Sequence, residues 1–133
     1  MSIELKSTAT LIDELIVTEL KMSHFGKDRL QERYEMLDAA ITRRLSRHTD
    51  VDKLHTLSVL TLNLKQVNTL CWDAQEVVMR YQLKLDENIE VVTTVALAAK
   101  QAQKLNAQRN NIIREMDDLL GEGQYTQLEK SYG

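Results

Sequence analysis

The chain has 133 residues, 43% of them hydrophobic and 28% charged, and a formal net charge of −3 at pH 7. That is the length of one domain with an ordinary globular composition. The acidic balance gives no general pull toward nucleic acid or anionic lipid, and no apolar run approaches the roughly 20 residues of a membrane span. Proline is absent and only four glycines occur, so the chain has few places to turn and favours a small number of long helices. The single cysteine, Cys71, excludes an internal disulfide and fits a reducing cytoplasm. The first residues carry acids at Glu4, Asp13 and Glu14 and lack a secretion signal's cleavage pattern.

The first predicted helix runs from Thr8 or Thr10 to Phe25. At 100° per residue its apolar side chains wrap most of the way round, which suits a helix inserted among others. Asp13 and His24 lie on the face shared with Val17 and Leu20, as candidate buried polar groups. Gly26 interrupts, and a second helix is predicted from Lys27 to about His48 with the one-sided stripe Leu30, Tyr34, Leu37, Ile41 and Leu45. Arg43, Arg44, Arg47 and His48 close it, where cations oppose the helix macrodipole. No aromatic platform accompanies them, so nucleic-acid binding is disfavoured.

A third helix begins near Val51, after the N-cap candidates Thr49 and Asp50. Leu57, Leu60, Leu64, Val67, Cys71, Ala74, Val78, Tyr81 and Leu85 form a three-four repeat, the seam of a bundle or coiled coil. A second stripe, Val59, Leu62, Leu70 and Val77, lies on the other side and calls for another neighbour, within the chain or in a second subunit. Cys71 in the seam reads as a small core residue rather than a nucleophile. The repeat loses frame across residues 86–88, where a hairpin is favoured over a bend in one continuous helix. A fourth helix then runs from Ile89 to Leu120 and stops at Gly121. Helices three and four would each be roughly 45–50 Å long. The segment 125–133 reads as a short polar tail to a single bundle domain over 1–124.

The fourth helix poses the sharpest question. Its stripe runs Val91, Val95, Ala98, Ala102, Leu105, Arg109, Ile112, Met116 and Leu119, with a permanent cation among apolar side chains. A buried arginine needs an acidic partner, and Asp13 is the only acid on the inward face of the first helix. Lys21, His24, Asn106 and Asn110 complete the candidate polar set, with the two asparagines flanking Arg109. Two roles are open: a buried pair that fixes helix register, which is favoured, or a pocket that receives an anionic small molecule or nucleotide.

Catalytic and metal motifs are weak. Glu32/Glu35 and Glu115/Asp118 resemble, by motif only, the carboxylate pairs with which all-α nucleoside triphosphate pyrophosphatases hold magnesium. Both pairs are displaced from the apolar stripes and should face solvent. Asp13 and His24 are about 16 Å apart along one helix and cannot share an ion. No Gly-rich phosphate loop or G-x-S-x-G arrangement is present. No cofactor or metal is expected.

The segments LIDELIVTELKMSHF and LNAQRNNIIREMDDLL resemble an uncharacterised family of small all-helical bacterial proteins. Their motifs run L-I-D-K-L-x-I-x-x-L-K-x-x-H and L-N-x-Q-R-N-x-L-I-x-E-I-D. The resemblance would carry Asp13, Lys21 and His24 from the first motif, and Gln108, Arg109, Asn110 and Glu115 from the second. It covers about thirty residues, departs at Glu14 where lysine is usual, and implies a shared pocket but no reaction. The expectation is an all-α, up-and-down four-helix bundle with a long coiled-coil-like hairpin of helices three and four. It would be a non-catalytic interaction or assembly module of a bacterial or phage cytoplasm, a homo-oligomer with a dimer favoured, or bound to a protein partner.

Overall fold

The computed structural model describes residues 2–81 and 89–123. Four α-helices follow a short 3-10 turn at Ile3–Leu5: α1 Thr8–Phe25, α2 Gln31–Leu45, α3 Val51–Tyr81 and α4 Ile89–Leu120. The described residues contain no strand, and no helix among them is long and apolar enough to cross a membrane. The expected tail and the 86–88 connection both lie outside the described residues.

The helix ends follow local chemistry. Ser7 caps α1, its Oγ accepting from the Thr10 amide at 3.1 Å. Gly26 closes that helix at φ +97°, a conformation few side chains tolerate, while its amide donates to the Met22 carbonyl. The chain then makes a turn over residues 27–30, so α2 begins four residues later than the stripe predicts. It also ends three residues earlier, because the amides of Arg47 and His48 reach back only three residues, to Arg44 and Leu45, in a tightened last turn. Asp50 caps α3 as expected, its Oδ1 accepting from the Lys53 amide at 3.2 Å. At the end of α4, Glu122 donates to the Asp117 carbonyl and Gly121, at φ +70°, to that of Asp118. This pair of bonds is a Schellman motif, which satisfies carbonyls the helix end would otherwise leave open.

Helices α3 and α4 pack extensively against each other, α1 lies against both, and α2 packs principally against α1. The long hairpin is antiparallel: Asn68 and Arg109 meet at one level through Asp13, and Cys71 and Asn106 at another. The two helices therefore run in opposite directions. The core is built from Ala9, Leu11, Ile12 and Ile16 of α1, Leu37, Ala40 and Ile41 of α2, Leu57 and Leu64 of α3, and Met116 and Leu120 of α4. Buried positions at 11, 12, 13 and 16 confirm that α1 is covered on most sides.

Burial along the hairpin is uneven. Seam residues are buried from Leu57 to Cys71 on α3 and from Ala102 to Met116 on α4, apart from half-buried members at Leu60, Val67, Arg109 and Ile112. Beyond that level Ala74, Val78 and Tyr81, with Val91, Val95 and Ala98 opposite, are all only half-buried. The change coincides with the end of α1, since His24 and Phe25 reach α3 at Trp72. Past this point, among the described residues, the hairpin continues as two helices without a third to close their seam.

Candidate functional site

Arg109 meets Asp13 side-on. Its Nε donates to Asp13 Oδ1 at 2.9 Å and its Nη2 to Oδ2. Bidentate geometry of this kind fixes both the distance and the rotation of the two side chains. Asn68 of α3 completes the arrangement, its Nδ2 donating to the same Asp13 Oδ1 at 2.9 Å. The Asp13 residue is only 4% exposed, so the carboxylate has exchanged hydration for three protein donors. The hydrogen bond to Asp13 pushes the Arg109 pKa above its ordinary value, against the opposing effect of desolvation. One carboxylate thus ties α1 to α3 and α4 at a single level.

Next to this triad, the Cys71 thiol donates to Asn106 Oδ1 at 3.5 Å. Burial pushes the thiol pKa up and the Arg109 charge pulls it part of the way back. A protonated thiol with a satisfied donor is a packing group, in keeping with its place in the seam.

The other candidates do not join the network. Lys21 and Asn110 are exposed, so the expected flanking of Arg109 by Asn110 is replaced by Asn68 from the neighbouring helix. His24, expected among the buried polar groups, is exposed as well. It lies where α1 runs out of cover, and its ring stacks on Trp72 with centroids 4.7 Å apart. Its Nδ1 lies 2.8 Å from the Leu20 carbonyl and its Nε2 3.6 Å from Glu76 Oε1. Glu76 also accepts from Trp72 Nε1 at 2.9 Å. Gln108, Glu115 and Asp118 face solvent, as do Glu32 and Glu35. Among the described residues no group of three or more His, Cys, Asp or Glu could hold a metal ion.

A further polar cluster went unread in the sequence. Glu122, just past the end of α4, accepts from both the amide and Oγ1 of Thr8, at 3.1 and 3.2 Å. An anion thereby sits on the first turn of α1, where the helix dipole favours it. Arg44 of α2 donates to the carbonyls of Lys6 and Ile3 at 2.5 and 2.8 Å and lies 3.7 Å from Glu122. Nothing in a local pattern joins residues 8, 44 and 122; only the fold brings them together.

The second stripe of α3 is left open. Leu62 is 67% exposed, Val59 and Leu70 are 46% exposed, and Leu97 of α4 is 63% exposed. At 100° per residue, Val59, Leu62, Gln66, Leu70 and Val77 fall within about 80° of arc. That arc is about 180° from Asn68, so it faces away from α1. Compared with protein-family models, with curated proteins and with solved structures, the chain finds no match.

Proposed function

We propose that the protein is a non-catalytic helical assembly module, acting in the cytoplasm, in which a second copy of the chain covers the outer face of the α3–α4 hairpin. The observation that carries this is the open stripe of α3, whose large apolar side chains Leu62 and Leu70 are 67% and 46% exposed. The stripe also has the symmetry that a two-fold contact needs. Leu62 and Leu70 stand four residues on either side of Gln66, so two antiparallel copies of α3 centred there would set Leu62 of each copy against Leu70 of the other. Val59 and Val77, seven and eleven residues from Gln66, extend the apolar line toward both ends without matching each other across the axis. Such a pairing would turn two hairpins into a four-helix layer between two α1–α2 layers, closing an apolar face that single chains leave in water.

Small-molecule handling at Asp13 and Arg109 is the weaker alternative. The guanidinium there is engaged by Asp13 through two nitrogens, and Asn68 occupies the remaining reach of the carboxylate. A buried carboxylate held by three donors suits a register-fixing role.

The test is a cysteine at the expected axis. Gln66→Cys in a Cys71→Ala background should form an intermolecular disulfide on mild oxidation, because only a close, two-fold pairing brings a residue within disulfide reach of its own mate. Glu35→Cys in the same background, on exposed α2, should not. Equal cross-linking at both positions would mean random collision and would remove the proposed interface.

A further inference from the structure

At the opposite end of the molecule from Trp72, the N-terminal segment folds over the end of α2. The two enclose a cleft of about 310 Å³ lined by Ile3, Glu4, Ala40, Arg43, Arg44 and Arg47. Arg44 builds this cleft rather than filling it, since its two bonds to the Ile3 and Lys6 carbonyls hold the 3-10 turn against α2. Arg43 and Arg47 are one helical turn apart, exposed, and without an ion-pair partner among the described residues. Ile3 and Ala40 supply apolar lining, and Glu4 adds an acceptor.

Opposing the α2 macrodipole accounts for cations in this turn, but that needs neither three arginines nor a cleft. Two unpaired planar guanidiniums converging on one small cavity, in a chain that is acidic overall, match a compact anion with several acceptor oxygens. The volume is at the lower end of the range for small-molecule sites. We infer that this cleft binds a small phosphate monoester, its phosphate held by Arg43 and Arg47, a hydroxyl donating to Glu4, and its carbon skeleton resting on Ile3 and Ala40. The site is independent of the α3 face and of any assembly made through it.

Glycerol 3-phosphate is a suitable probe, titrated against isotopically labelled full-length protein and followed by amide chemical shifts. Saturable shifts centred on Ile3, Glu4, Ala40, Arg43 and Arg47 are expected. Arg43→Gln with Arg47→Gln should weaken binding by about tenfold or more, the loss expected for charge-assisted bonds. Both side chains are exposed, so the double variant should stay folded and lose only the small macrodipole contribution of two surface cations, and Arg44 is left alone because it holds the fold. Vesicles of phosphatidylcholine with phosphatidic acid, compared with the soluble probe, distinguish a lipid headgroup from a free metabolite as the phosphate source. Non-saturable shifts scattered over all surface cations, equal affinity for succinate, or much tighter binding to a single-stranded oligonucleotide that grows with its length would each overturn the assignment.

Discussion

Replacing Arg109 by methionine tests the triad at the centre of the fold. Methionine suits a seam of Ala102, Leu105, Ile112 and Met116, so the substitution removes a charge with little loss of packing. It strands the Asp13 carboxylate, whose side chain is 5% exposed, with Asn68 as its remaining donor. Breaking one partner from a fully buried pair costs about 3–5 kcal/mol. The Arg109 side chain is 32% exposed, and water entering through that opening would solvate the abandoned carboxylate, so about 2–4 kcal/mol is expected here. For a chain of this length each kcal/mol moves the melting temperature by about 3–4 °C, giving a fall of about 7–15 °C. Asp13→Asn should also destabilise, because it leaves the guanidinium without its counter-charge while keeping an oxygen for Asn68. The double variant carries neither charge. It should recover at least about 1–2 kcal/mol relative to the sum of the single losses, the size of coupling seen between contacting residues. Thermal and urea unfolding at one fixed protein concentration would measure all four forms. Additive losses, or single variants within about 0.5 kcal/mol of the parent, would show that the pair does not organise the fold.

Two further outcomes follow from the same contacts. Glu122→Ala removes the acceptor for the Thr8 amide and hydroxyl and the carboxylate near Arg44; a loss of about 1–2 kcal/mol is expected in urea unfolding, with α1's first turn losing amide-exchange protection before the core does. Cys71 has a thiol pKa raised from its ordinary 9.0, so the folded state keeps its proton where the unfolded chain releases it. The associated stability is complete below pH 9.0 and is lost as pH rises through the higher folded value. The stability difference between the parent and Cys71→Ala should therefore move against the parent on the alkaline side, and a pH-independent difference would contradict the sign.

Much of this fold was legible because its helices are long and its stripes regular. The apolar repeat gave α4 its observed limits, Ile89–Leu120, and the cap chemistry of Asp50 and Gly121 is written locally. The partnership of Arg109 with Asp13 was legible for an energetic reason: a cation in an apolar seam needs an acid, and the first helix offered only one on its inward face. What failed was tertiary. His24 shares Val17's face, but in the last turn of α1 it meets the partly exposed side chains Trp72 and Glu76, so shared direction did not mean shared burial. Asn110 is one residue from Arg109 and therefore about 100° away, enough to turn it outward. Asn68 took the expected place because α3 approaches the triad from a side that no sequence pattern specifies. Glu122 acts on Thr8 from the other end of the chain, with no periodicity to announce it.

The mass of the protein in solution tests the proposed assembly most directly. Sedimentation equilibrium over a wide concentration range should give twice the 15.3 kDa of one chain for the parent. Leu62→Glu with Leu70→Glu, which places four carboxylates at the two-fold contact while leaving the buried core untouched, should sediment as 15.3 kDa with its helix content intact. A parent that remains at the mass of one chain at every concentration would contradict the account, and so would a double variant that still pairs.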